Sequence, residues 1–469
     1  MTDTPSTEGS FWTRPVIVLL SLAPIYLVAL VIDRLAVNVP FWDDWVGWLP
    51  LWANNDLLEL RLGHFWPLHN EHRVLIPQLL NVALGHLTSA NMIAPVWAKL
   101  GLTTITLYLL TRLYTTNARA SGRLWIVVLF SPLLFSLAQW PRWIDGRPLP
   151  STLSILGLVG ALLAATGGPC RGRRLAMAIT MCAFSSLSFF TGNMTWLVVA
   201  AALWFVGYRR ARHGVGFLLA ASAVLIPFVV EISQGESHVL RASMPPLGDM
   251  LEFVLVFLGS TVVAHPRWLA DQSPALAMGV VGLVAVGSLS LALHLWVQDG
   301  VRKALPWLAI IVWVCLNGVA AGYGRLGLEE GPPMARVYRY TVFGTLFWIA
   351  VAALVALLLC EPRRADGRRS IGRALLGRAV PLVVAGILAA GYVQGTYGAV
   401  FSPEFGNHVE QLRKGWRCLG QVPVKDGCLL NVMPKEHLQH ARALLPLMRE
   451  RGASFLELRP PEPPGPPGD

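Results

Sequence analysis

Two aspartates stand side by side in the run Val39-Pro40-Phe41-Trp42-Asp43-Asp44-Trp45. Adjacent carboxylates suit a divalent cation that neutralises phosphate, or a base that takes the proton of a hydroxyl. The flanking tryptophans would desolvate them and raise their proton affinity. A second cluster, Leu68-His69-Asn70-Glu71-His72-Arg73, joins imidazole, carboxylate and guanidinium just before the apolar run 74–87, with His64 nearby. As a helix cap it is excessive, since Asn70 alone would serve. A third set, Tyr323-Gly324-Arg325-Leu326-Gly327 and Arg336-Val337-Tyr338-Arg339-Tyr340, carries arginines whose planar fork fits two phosphate oxygens. Each motif alone has an ordinary reading: tryptophan anchors a helix end at an interface, aspartate is solvated, arginine snorkels.

The elements that position these motifs are apolar. Of 469 residues, 54% are hydrophobic and 14% charged, and the mean hydropathy is +0.53. A soluble domain carries about a quarter charged residues. Apolar runs of about 20 residues recur between Pro15 and Gly398, and their unbroken hydrophobicity excludes the alternation of a barrel. The expected fold is therefore all-α and polytopic, with about eleven spans near 15–33, 92–112, 124–140, 150–167, 175–191, 195–208, 215–231, 275–297, 305–322, 341–360 and 379–398. The net charge of +11 collects in short loops, above all 361–378, and not in a basic domain, so nucleic acid is not an expected partner. Placing those loops in the cytoplasm puts the N-terminus there too and sets 33–91, 231–274, 324–340 and the C-terminal segment outside. Segment 250–264 fits this count as a re-entrant or interfacial helix. Arg325, Arg336 and Arg339 then lie against the charge bias, which favours anion binding.

Other features weigh less. Gln139-Trp140-Pro141-Arg142-Trp143-Ile144-Asp145 reads as an outer loop rich in aromatic and charged groups. Lys99 lies within a span, where an ionisable group invites a functional role, but near its outer end, where snorkelling suffices. Glu231, Glu236, His238 and Arg241 line another outer loop without recognisable spacing. Cys418 and Cys428 lie together in a polar segment and would pair in an oxidising compartment. Segment 399–459 reads as a small α/β unit: a turn at Asp426-Gly427, short apolar runs at 428–432 and 455–458, and a helical period over 435–451. Residues 460–469, rich in Pro and Gly, read as disordered.

The ordered set Phe41-Trp42-Asp43-Asp44-Trp45, Asn70-Glu71-His72-Arg73, Gly324-Arg325 and Arg339-Tyr340 resembles the C-type superfamily of polytopic membrane glycosyltransferases. It is most similar to a group of bacterial multi-span proteins of that type. The resemblance lapses over 139–148. It implies a GT-C-like domain over 1–398 in the cell (inner) membrane, with the site in the first outer loop. The implied reaction moves a sugar from a polyprenyl-phosphate donor to a saccharide or lipid acceptor. By the same resemblance Asp43, Asp44 and His72 would be catalytic. Glu71, Arg73, Arg325, Arg339 and Tyr340 would bind substrate. Some members use a divalent cation, Mg or Mn, which Asp43 and Asp44 would hold.

Two other classes compete. A transporter or flippase of lipid-linked saccharides calls for ionisable groups near the midplane and internal pseudo-symmetry; few mid-span charges and no repeat are visible. A non-catalytic scaffold accounts for the C-terminal segment but leaves the Asp, His and Arg clusters unexplained.

Overall fold

The computed structural model describes residues 13–457 except 57, 70–71, 118–124, 146–148, 169–171, 209–210, 235–243, 260, most of 262–300, 327–337, most of 360–399, and 422. The expected spans at 275–297 and 379–398, the basic loop 361–378, Glu71, and the tail 460–469 therefore lie largely or wholly outside the described residues. Among those described, the chain is all-helical and contains no strand. A single isolated bridge joins His69 to His72.

In chain order the helices are α1 (Thr13–Leu35), α2 (Trp48–Asn54), α3 (Leu75–Thr88), α4 (Ala94–Asn117), α5 (Trp125–Leu134), α6 (Trp140–Ile144), α7 (Leu149–Thr166) and α8 (Gly172–Ser186). They continue with α9 (Asn193–Phe205), α10 (Ala211–Gln234), α11 (Leu247–Gly259), α12 (Val301–Leu326), α13 (Tyr338–Leu359), α14 (Pro403–Leu419), α15 (Asp426–Leu429) and α16 (Leu438–Glu450). Five of them contain stretches long and apolar enough to cross a membrane: Pro15–Leu35, Leu149–Thr166, Arg212–Gln234, Lys303–Leu326 and Tyr340–Leu357. These five are counted among the described residues, and the expected spans at 275–297 and 379–398 fall largely outside them. Helix α4 is long enough but less apolar, and α8, α9 and α11, at 15, 13 and 13 residues, fall short of the ~20 residues that a ~30 Å hydrocarbon core requires. Helix α5 stops after 10 residues with Pro132 inside it. The chain then turns through Leu137–Gln139 into α6.

The burial pattern follows the hydropathy. Helix α13 lies in the centre, 94% of its apolar window buried, whereas α10 is only 11% buried. Val215, Leu218, Leu219, Ile226, Val229 and Val230 leave α10 exposed and apolar. In water such a face would be unfavourable, at about 25 cal/mol per Å²; hydrocarbon covers it at no cost. Helix α1 likewise presents Val18, Leu19, Leu20 and Leu22 outward. The bundle closes by the packing of α7 on α8 and α4, and of α12 on α9, α11 and α13.

A second core forms beyond one end of this bundle. It is built from Val39, Phe41, Trp45, Trp48, Leu49 and Trp52 on one side and Leu412, Leu419, Leu429, Val432, Leu444, Met448 and Phe455 on the other. The segment after α1 and the C-terminal segment thus share one hydrophobic core. Backbone bonds join them: Trp42 N–H donates to Val432 O at 2.8 Å and Ser454 N–H to Ser89 O at 2.7 Å. Two glycines permit the close approach. A Cβ on Gly85 of α3 would stand 2.8 Å from the Trp48 ring of α2, and one on Gly415 of α14 would stand 2.0 Å from the Val432 side chain.

The α/β expectation for 399–459 is corrected to all-helical over its described residues. The run 428–432 finds no partner strand. Its first residues close the short helix α15, and Leu429 and Val432 turn into the shared core. Residues 454–456 form a single 3₁₀ turn. A disulfide joins Cys418, at the end of α14, to Cys428 in α15 across a Cα separation of 5.3 Å. Because it closes a loop of only 10 residues, Cys428→Ser is expected to lower the stability of the subdomain by about 3 kcal/mol. Thermal unfolding with and without reductant measures this, and the difference should vanish in the variant.

Candidate functional site

The turn bearing the aspartates is held from several directions. Trp42 adopts φ +52°, a left-handed conformation that costs a bulky residue on the order of 1–3 kcal/mol and persists only where surroundings enforce it. Here the enforcing contacts are the Val432 carbonyl on one side of Trp42 and Asp44 on the other. One Asp44 oxygen accepts from Phe41 N–H at 3.0 Å, and the other accepts from Trp48 Nε1–H at 3.0 Å. Asp44 is therefore half-buried and bound at both oxygens. Asp43 instead faces outward, its side chain 57% exposed, with His69 Nε2 at 4.0 Å. The two carboxylates have different surroundings, and so different chemistry.

Desolvation raises the Asp44 carboxyl from its ordinary value of 3.8 to about 6; the bonds from Phe41 and Trp48 oppose this, and the charges of Asp145 and Asp43 add to it. The folded chain holds this proton more tightly than the unfolded chain. The associated stabilisation is complete below pH ~4 and is lost as pH rises through about 6, a span of about 2–3 kcal/mol. Wild type should therefore lose stability relative to Asp44→Asn between pH 4 and 8 in urea unfolding. Parallel curves for the two proteins would contradict the burial of a titrating Asp44.

Asp145 is the partner that the sequence motifs did not single out. It follows α6, is buried, and faces His408 of α14, with His408 Nε2 and Asp145 Oδ2 3.6 Å apart. The His408 ring stands edge-on to Phe41 at 5.0 Å and tilted against Trp140 at 5.3 Å. Lys99 of α4 lies beneath. It is fully buried and does not snorkel, its ammonium donating to the carbonyls of Arg142, at 2.6 Å, and Asp145. Arg142 in turn donates to Gln139, Thr103 and Thr152, and Gln139 donates to Thr345 of α13 at 3.2 Å. The stretch expected as an outer loop rich in aromatic and charged groups is thus a short helix whose polar side chains are buried and linked to α4, α7 and α13.

The second motif divides. His72 packs tilted against Phe189, ring centroids 4.3 Å apart. Arg73 is buried, and its guanidinium donates to Trp66 O at 2.6 Å, pairs with Glu231 of α10 at 2.5 Å and lies 4.2 Å over the Trp66 ring. Leu68 N–H donates to the other Glu231 oxygen at 3.2 Å. These bonds give Arg73 and Glu231 the task of tying the first outer segment to the bundle. In the third motif, Arg325 at the end of α12 donates through Nε to Tyr340 Oη on α13 at 3.1 Å, and Tyr340 packs on Phe257 of α11 at 5.5 Å. Arg339 occupies the first turn of α13; its side chain, like Glu71, lies outside the described residues.

The segment that carries the aspartates is thus tied to α8 and α10, whereas Arg325 and Tyr340 make their described contacts with each other and with α11. The link to α8 runs from Ile76 N–H to Leu187 O at 3.0 Å. Among the described residues, no three His, Cys, Asp or Glu side chains converge as a metal site requires. Both Asp44 oxygens already accept from N–H donors.

Over the described residues the chain is all-helical, and five of these helices are long and apolar enough to cross a membrane. The chain matches no family model, no curated protein and no solved structure.

Proposed function

We propose that the chain is a polytopic membrane glycosyltransferase that moves a sugar from a polyprenyl-phosphate donor to a saccharide or lipid acceptor. The observation that carries this reading is the unequal carboxylate pair: a half-buried, tethered Asp44 fixes the turn, and Asp43 beside His69 is exposed. Asp43 takes the proton of the acceptor hydroxyl. The hydroxyl oxygen bonds to the anomeric carbon as the bond from that carbon to the phosphate oxygen breaks, and the phosphate leaves with the electron pair. Attack opposite the phosphate inverts the anomeric centre. The departing charge falls to Arg325, which Tyr340 orients, and to Arg339. Fixed donors aimed at developing charge stabilise a transition state without reorganising.

In this reading the bundle lies in the cell membrane with the N-terminus in the cytoplasm. The site and the Cys418–Cys428 disulfide then face the oxidising outer side, where such bonds persist. The test is transfer of radiolabelled sugar from polyprenyl-phosphate donors in membranes containing the protein. Transfer dependent on Asp43 supports the proposal; its absence with hexosyl and pentosyl donors alike removes it. Arg325→Ala should raise the donor KM about 10–100-fold, the worth of a charge-assisted bond. Arg325→Lys should recover little of it, because an ammonium lacks the fork that reaches both the Tyr340 hydroxyl and a phosphate. Donor titrations of both variants check this.

A further inference from the structure

We propose that Trp42 is a stacking platform for a saccharide ring, which makes the acceptor of the proposed transfer a sugar and not a simple lipid. The inference deepens that reading and rests on it for the role of the bound sugar as acceptor.

Five aromatic residues lie between positions 41 and 52. Four of them, Phe41, Trp45, Trp48 and Trp52, turn into the second core and are at most 4% exposed. Trp42 departs from its neighbours: it is 45% exposed and is not among the residues of that core. The residue after it is Asp43, itself 57% exposed beside His69. The backbone of Trp42 lies at φ +52°, a conformation that Gly, Asn or Asp adopts readily and a bulky side chain does not. The turn is anchored on both sides of the strained residue. Trp42 N–H donates to Val432 O at 2.8 Å, and Asp44 accepts from Phe41 N–H and Trp48 Nε1–H. The fold thus maintains an unfavourable backbone angle at an indole that it leaves in the open. Strain that the surroundings enforce beside exposed polar chemistry marks a functional position.

The indole presents a broad apolar face with a negative quadrupole. The C–H face of a sugar ring is apolar and weakly positive, and the hydroxyls lie around its rim. A sugar laid on Trp42 therefore buries its C–H face and keeps a hydroxyl free for a base, which the adjacent residue supplies. Holding the ring in one orientation converts an encounter into a near-attack geometry. An aliphatic lipid alcohol has no such face to offer. Membrane anchoring, the usual task of an exposed tryptophan at an interface, requires no strained backbone.

The test is saturation-transfer NMR on the full-length chain in lipid nanodiscs, titrated with neutral linear hexose and pentose oligosaccharides. At least one should bind, with saturation carried to its ring C–H protons. Trp42→Leu keeps apolar bulk without the aromatic face and should weaken that binding by about 3–10-fold, whereas Trp42→Phe should retain most of it. No binding by any oligosaccharide, or equal affinity in wild type and Trp42→Leu, overturns the proposal. Should Trp42→Leu fail to fold, Trp42→Asn takes its place, because Asn accepts the positive φ. It should show the same loss of affinity with a thermal midpoint no lower than that of wild type. A lowered midpoint would make Trp42 a packing residue and overturn the inference. Spin-labelled lipid that broadened the 5-fluorotryptophan signal removed by Trp42→Phe would make it a membrane anchor, with the same consequence. Saccharide binding that depends on Trp42, in a protein that transfers no sugar, would leave the platform standing and count only against the proposed reaction.

Discussion

Asp43→Asn is expected to lower sugar transfer by about 10²–10⁴-fold, the usual worth of a positioned general base, while leaving the fold intact. The expectation follows from the asymmetry of the pair. Asp43 is exposed and lies beside His69, so exchanging its carboxylate for an amide changes charge and basicity with little disturbance of packing. Asp44 is bound at both oxygens and holds a turn in which Trp42 is strained. Asn at 44 offers one acceptor where two donors converge, so Asp44→Asn should perturb the turn itself as well as transfer. Initial rates at saturating donor, with circular dichroism as a control for folding, distinguish the two. Loss of transfer in Asp44→Asn together with full activity in Asp43→Asn would reverse the assigned roles.

The second large effect is on stability. Arg73→Met should destabilise the protein by about 2–4 kcal/mol, because it removes one partner of a buried ion pair and leaves Glu231 and the Trp66 carbonyl without their donor. The Glu231 side chain retains 35% exposure, so water compensates part of the loss and the upper values for fully buried pairs do not apply. Arg73→Met combined with Glu231→Gln should recover much of it, since the double variant buries no unpaired charge. Thermal unfolding in detergent gives the cycle. Additive losses in the double variant would mean that the two residues do not act as a pair.

Much of the helical bundle can be read from hydropathy because lipid-facing helices must be continuously apolar, as α1 and α10 are. Helix ends are less legible, since apolar runs do not reveal where a helix stops. Pro132 and the turn at Leu137–Gln139 divide what hydropathy reads as one span at 124–140. The C-terminal error has a similar cause: a five-residue apolar run such as 428–432 fits a buried strand and a helical turn equally, and the shared core decided for the turn. At the site, the Asp43–Asp44 pair and its aromatic neighbours are visible as a motif. The approach of His408 to Asp145 is not, because the two residues lie far apart in the chain. The same holds for Arg73 and Glu231, 158 positions apart. Lys99 shows the reverse: position along the helix suggested snorkelling, whereas the carbonyls of Arg142 and Asp145 hold it inside.

For the proposed transfer to occur, the aspartate turn and the Arg325–Tyr340 pair must open on the same, non-cytoplasmic side. In a chain with Cys170, Cys182, Cys315 and Cys360 replaced by serine and the disulfide kept, Trp42→Cys and Leu326→Cys are each exposed to a membrane-impermeant maleimide in intact cells. The account predicts that both label without permeabilisation. Labelling of one only after permeabilisation would put the base and the phosphate-holding arginine on opposite faces of the membrane, and the proposed reaction would have no site.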